Sequence, residues 1–387
     1  MGDQMRHLPE EFKLERFMAR YEFTSPYTLC CSDCQPLSQS EVLALADDEC
    51  RRRWDQLSLA YTESRGLPEL REEVAKLYNG VSADEILITA PQEAITIVML
   101  AMLRPGDHVV VAFPGYQSLY AIARTIGAEI SFWHMRADEE GGLGFQMSEL
   151  KRLMRPTTRA VVVNFPHNPS GALLGLTDWE ALVGQCRAVG AYLFSDEMYR
   201  LLERTPAARL PAAVECYDRG ISLCGMSKAL GMPGVRIGWL ATRDPELHPI
   251  LHRLHDYSTI CASAPSEILA LIGLRARERL VAANLELIEA NLGEARAFFA
   301  RHADTFEWYE PAAGSICFPR LRTGEAVEAF CERLVAKSGV LLLPATVYDH
   351  APSVAEGRFR LGLGRLNFKE CLQHLEKFLQ DEKEHVN

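Results

Sequence analysis

Between about residue 67 and residue 245, short apolar runs alternate with longer stretches whose apolar positions recur every three or four residues. The short runs are "ILIT" (86–89), "HVVVAF" (108–113), "EISFWH" (129–134), "RAVVVNF" (159–165), "AYLFSD" (191–196), "ISLC" (221–224) and "RIGWLAT" (236–242). Several are unbroken and β-branched, the pattern of strands covered on both faces. Helix-like stretches such as "EAITIVMLAMLR" and "YQSLYAIARTIG" separate them. This rhythm predicts an α/β fold with a mostly parallel seven-stranded sheet.

The pattern changes after residue 264. Residues 264–301 read as one long helix; short strands follow in "SICFPRL", "VLLLPATVY" and "RFRLGLG", then an amphipathic helix. That is a smaller α+β unit. The first 45 residues have no sheet rhythm of their own and are grouped with it. The expected division is a large domain over 46–280 and a small domain from 1–45 and 281–387, in keeping with a chain of 387 residues.

The net charge of −11 and the lack of a basic stripe argue against a nucleic-acid partner. A charged N-terminus, without an apolar run near the ~20 residues of a membrane helix, points to a cytoplasmic protein with no membrane contact. Eleven scattered cysteines fit a reducing compartment. Cys31 and Cys34 have C-x-x-C spacing, but no second pair completes a metal site, and they read as free thiols. His248, His252 and His255 share one helical face without a metalloprotease glutamate, and read as a polar face.

Open α/β sheets bind ligands at the carboxyl ends of their strands. Five such ends carry "APQEA", "PGY", "PHNPSG", "DEMY" and "GMSKALGMPGVRIGW", bringing Asn168, Asp196, Tyr199, Lys228 and Arg236 to one rim. A lysine in an apolar loop is desolvated, which makes it a nucleophilic amine able to bind an aldehyde. Pyridoxal 5′-phosphate (PLP) is such an aldehyde, and its ring nitrogen needs an acidic partner, for which Asp196 is placed. Arg236 offers a donor fork to the phosphate, and the start of the helix near residue 92 offers free N–H groups.

In these motifs, together with "YTESRGLPELR" and "RFRLGLG", the chain resembles the fold-type I PLP enzymes of the class I/II aminotransferase family, from about Leu29 to the C-terminal helix. The resemblance implies that Lys228 forms the Schiff base with PLP. Asp196 would meet the ring nitrogen, Tyr199 and Asn168 the phenolic oxygen, Tyr116 the ring face, and Ser227 and Arg236 the phosphate. It also implies a cis Asn168–Pro169 bond, and a grip by Arg360 on the substrate α-carboxylate, although Arg358 and Arg365 lie near in sequence. Tyr61 would reach the phosphate in a neighbouring subunit, making a homodimer with shared active sites. The expected reaction moves an amino group from an L-amino acid to a 2-keto acid.

Two departures stand out. Gly225 replaces a serine that relatives often place on the phosphate, and Ala90, Pro91 and Gln92 replace a small, hydroxyl-bearing loop. Pro91 has no N–H to give, leaving the amides of Gln92 and Glu93 to compensate. On the substrate side, "CCSDC" replaces a small, glycine-containing stretch, and Asp33 within it could read a cationic side chain or simply cap the loop. A PLP-dependent cyclase, dehydratase or oxidase acting on arginine or hydroxyarginine is therefore the alternative reaction. A PLP-sensing regulator would need a basic DNA-binding module, for which the residues before Arg51 are too few.

Overall fold

A computed structural model of the chain describes residues 8–137, 142–348 and 357–386. All seven apolar runs form strands: β1 (Ile86–Thr89), β2 (His108–Phe113), β3 (Glu129–Ala137), β5 (Thr158–Asn164), β6 (Tyr192–Asp196), β7 (Gly220–Gly225) and β8 (Gly238–Thr242). An eighth, β4 (Leu143–Phe145), extends the edge beyond the seven expected. The order is β1-β8-β7-β6-β5-β2-β3-β4. The five strands from β3 through β2, β5 and β6 to β7 run parallel. β8 runs against both its neighbours, and β4 against β3.

The unbroken apolar runs follow from cover on both sides. Alternate residues of β2 and β5 enter two different cores: Val109, Val111, Ala160 and Val162 join one, Val110, Ala112, Val161 and Val163 the other. Helices Pro91–Met102 and Ser118–Ile126 cover the first face, and helix Leu176–Val189 the second. Each valine buried this way stabilises by about 1.5–3 kcal/mol, so a polar residue inside these runs is strongly disfavoured.

The stretch 264–301 is two helices, Ala264–Arg275 and Arg277–Arg301, divided at Ala276, where ψ opens to 9°. Neither proline nor glycine stands at the break itself, although Gly273 lies one turn before it. The expected division at 280/281 falls inside the second helix. A three-stranded sheet has Phe359–Gly362 at its centre, between Ile316–Cys317 and Leu343–Pro344. Segment 27–34 lies along this sheet, with the Gly362 N–H donating to the Leu29 carbonyl at 2.8 Å. Glycine is required there: a Cβ at Gly362 would stand 1.8 Å from the Cys31 carbonyl oxygen, and one at Gly364 2.7 Å from that of Asp33.

Candidate active site

The parallel strands end on a cavity of about 580 Å³. Asn164 at the end of β5 organises its floor: its Nδ2 donates to the Asp196 carbonyl at 2.7 Å, and its Oδ1 accepts from the Asn168 N–H at 2.8 Å. One side chain thus fixes the tip of β6 against the 165–171 loop. His167 ties that loop to the Tyr116 segment, hydrogen-bonding the Pro114 carbonyl through Nε2 and Ser170 Oγ through Nδ1, both at 2.7 Å. Burial pulls its pKa down to about 4, so it stays neutral. The Asn168–Pro169 bond is cis, as are Phe113–Pro114 and Phe165–Pro166.

Lys228, Asp196, Tyr199, Asn168, Tyr116, Ser227, Arg236, Pro91, Gln92, Arg360 and Asp33 all line the cavity. Burial lowers the pKa of Lys228, which favours the neutral amine. Asp196 is buried too, and desolvation pushes it up to about 7, with the Met198 N–H at 3.1 Å opposing. A carboxyl this poorly solvated is suited to a cationic partner such as a protonated ring nitrogen. Burial also raises Tyr199, keeping its phenol protonated as a donor. The helix at Pro91–Met102 begins on the cavity, leaving the Gln92 and Glu93 amides without helical acceptors. This donor set fits PLP: an amine for the aldehyde, a carboxyl for the ring nitrogen, and helix N–H groups with Ser227 and Arg236 for the phosphate.

Gly225 now has a physical reason. A Cβ there would sit 3.0 Å from Gly238 Cα, 3.1 Å from the Ile237 carbonyl oxygen and 3.2 Å from the Pro91 ring, so the β8 backbone and the proline together fill the space a serine would need. Arg236 lies just outside β8 with φ at 57°, not within the run 236–242, and its Nη1 donates to the Pro233 carbonyl at 3.1 Å.

One expectation, the polar histidine face, is corrected, and two residues are located more closely. The Glu93 side chain is absent from the cavity lining; its carboxylate accepts from Thr89 at 2.8 Å, from Thr259 at 2.8 Å, and from His255 and Ser258. Burial opposes its charge, but these donors together hold its pKa down to about 2. His255 is therefore buried against Glu93 rather than part of a polar face; His248 and His252 bond each other at 3.1 Å. Tyr61 is 87% exposed and stands outside the cavity of its own chain.

Arg360, on the central strand of the small sheet, lines the cavity, and Arg358 and Arg365 do not. Its Nε donates to the Cys30 carbonyl at 3.1 Å, and its Nη1 to the Tyr348 hydroxyl at 3.1 Å and Asn168 Oδ1 at 3.4 Å. Arg358 turns to the Phe318 carbonyl, and Arg365 pairs with Asp33 at 2.8 Å. The sequence reading did not single out Tyr348, Asn164, Ser32, Glu15 or Glu22. The last two come from the helix Lys13–Tyr21 and its end, and line the cavity with Asp33. That segment is pinned by the Lys13 N–H on Gln117 Oε1 and by Arg124 on Glu10. Burial, then the charges of Asp33 and Glu15, raise the pKa of Glu22.

A family model described as "Aminotransferase class I and II" matches residues 29–377. The chain belongs to this family. As a member of it, the protein takes PLP as its cofactor. It is 33% identical to a capreomycidine synthase of Streptomyces vinaceus over 80% of this chain and 78% of that one. It is 31% identical to an arginine–pyruvate transaminase of Pseudomonas aeruginosa over 78% and 77%. Among solved structures, a PLP-dependent aminotransferase from Streptococcus suis superposes with TM-score 0.88 at 30% identity, covering 96% of this chain and 98% of that one. The PLP-dependent cyclase OrfR does so with TM-score 0.87 at 28% identity, covering 98% and 100%. Among the described residues, no helix of the protein is long and apolar enough to cross a membrane.

Proposed function

We propose that the protein transfers the amino group of an L-amino acid with a cationic, guanidinium-type side chain to a 2-keto acid. The observation that carries the substrate class is the trio Glu15, Glu22 and Asp33 lining the same cavity as Lys228, with Glu22 held above the usual carboxylate range by burial and by its acidic neighbours. A cation entering there relieves that repulsion. The arginine–pyruvate transaminase among the relatives supports the same class.

PLP, when bound, supplies an electron sink for the pair left as the α-C–H bond ionises. The protein does the rest. Arg360, gripped from behind by Cys30 and Tyr348, presents its guanidinium to the α-carboxylate. Lys228 takes the α-proton at Nζ and delivers it to the neighbouring carbon. Asp196 holds positive charge at the ring nitrogen, while Tyr199 and Asn168 bind the phenolic oxygen and Tyr116 covers the ring. Ser227, Arg236 and the Gln92 and Glu93 amides hold the phosphate, joined by Tyr61 of a second copy in a homodimer.

A second reading, cyclisation of a hydroxylated arginine, is favoured by the likeness to the cyclase OrfR and to the capreomycidine synthase. One experiment separates the two. The PLP-loaded enzyme is given L-arginine or 3-hydroxyarginine with pyruvate, and products are followed by mass spectrometry. Transamination converts pyruvate to alanine and leaves a keto acid. Cyclisation yields a product one water lighter and no alanine. Turnover of neutral amino acids alone would sink the cationic assignment, and a Lys228→Ala protein with an unchanged visible spectrum on PLP addition would sink the cofactor site.

A further inference from the structure

The 30–34 loop brings a hydroxyl to the reacting end of Lys228. Lys228 Nζ donates to Ser32 Oγ at 2.8 Å, and the same hydroxyl lies on the Tyr199 side of the cavity, where it opposes the burial that raises the Tyr199 phenol. The loop is fixed in place: Ser315 Oγ donates to the Ser32 carbonyl at 2.6 Å, and the chain on either side rests on Gly362 and Gly364. Ser32 thus meets two groups of the site at once, from a segment that belongs to neither the lysine loop nor β6.

We infer that Ser32 is a further catalytic residue, whose hydroxyl accepts an N–H of Lys228 and stabilises that amine while it carries the α-proton. The inference rests on the reading of Lys228 as the proton carrier. A neutral amine has two N–H bonds and a lone pair. When the lone pair takes the proton from the substrate carbon, the nitrogen becomes a cation, and a hydrogen bond to a fixed oxygen strengthens. The proton leaves again to carbon, so nothing is oxidised or consumed. Ser32 keeps its own hydrogen throughout.

The groups acting on Nζ come from three sides. Asp33, Cys31 and Cys34 lie on the loop, Asp196 on β6, and Arg360 on the small sheet. Burial and Arg360 favour the neutral amine; Asp33 and Asp196 favour the charged one. Ser32 adds an uncharged acceptor to the side of the charged form.

The test compares wild type, Ser32→Ala, Ser32→Thr and Ser32→Cys. Apo-protein is mixed with PLP, and the rate of uptake is followed by absorbance across pH. Loss of the acceptor makes the amine neutral at lower pH, so the uptake midpoint moves to lower pH in Ser32→Ala and back towards wild type in Ser32→Thr. Ser32→Cys, close in size but a weak acceptor, shifts the same way as Ser32→Ala and stands in for it if that variant does not fold. In turnover, kcat falls about tenfold to hundredfold in Ser32→Ala with KM little changed, and the isotope effect from an α-deuterated substrate grows. A wild-type midpoint and isotope effect in the alanine or cysteine variant would overturn the role of Ser32 alone. Failure of wild type to take up PLP would overturn the cofactor site itself.

Discussion

Asp196 gives the protein a pH signature of its own. The folded apo-protein holds this proton up to about pH 7, while the unfolded chain releases it near the ordinary value of 3.8. Between those values the folded state binds more protons, so the Asp196 contribution to stability falls as pH rises through the window. His167 works in the opposite sense between its ordinary value of 6.5 and about 4, but it is common to both proteins in the comparison. Thermal melts of apo wild type and Asp196→Asn from pH 4 to 8 therefore diverge, the wild type losing stability relative to the variant as pH rises. Parallel curves would contradict the burial argument. On the substrate side, Glu22→Gln is expected to raise KM for a cationic amino acid about tenfold and to leave neutral ones unaffected, read from steady-state kinetics. Asp33→Asn is a less clean probe because it also releases Arg365. Lys228, Asp196, Tyr199 and Asn168 were legible because each follows a recognisable strand. Ser32, Glu15, Glu22 and Tyr348 were not: the first three reach the cavity and Tyr348 backs Arg360, each from a distant segment, and no spacing along the chain encodes that meeting.

At the scale of elements, the phosphate end is shaped by one helix start and one strand pair. Pro91 at the first turn lies across the ends of β7 and β8 and occupies the space above Gly225 and Gly238. Gly225→Ser forces a contact near 3.2 Å with that ring, and is expected to destabilise by about 1–3 kcal/mol, as overpacking does. Adding Pro91→Ala removes the ring contact but leaves the β8 backbone, so it recovers part of the loss, with tighter PLP binding if the new hydroxyl reaches the phosphate; melts and equilibrium dialysis read the two effects. Additive penalties in the double variant would refute the steric account. The strands of this sheet were legible since burial on both faces leaves unbroken apolar runs. β4 escaped notice because three residues, "LGF", at a sheet edge carry no such run. The break at Ala276 escaped because no helix breaker stands at it, and Gly273 one turn before lies within the helix.

For the whole molecule, the proposed sharing of sites in a homodimer makes complementation the decisive measurement. Tyr61 is exposed and outside its own cavity, so a Tyr61→Ala chain and a Lys228→Ala chain each spoil a different half of the proposed pair. Co-expressed and mixed, they should yield one intact site per mixed dimer and an activity neither reaches alone; no recovery argues for self-contained subunits. The near contact of the 30–34 backbone with Gly362 and Gly364 has a bearing on design. Loop and glycines are two halves of one fitted joint, some 330 residues apart in the chain. Anyone grafting "CCSDC" onto another scaffold to transfer its selectivity must carry "GLG" along with it, or the graft will ride too high for its serine to meet the lysine.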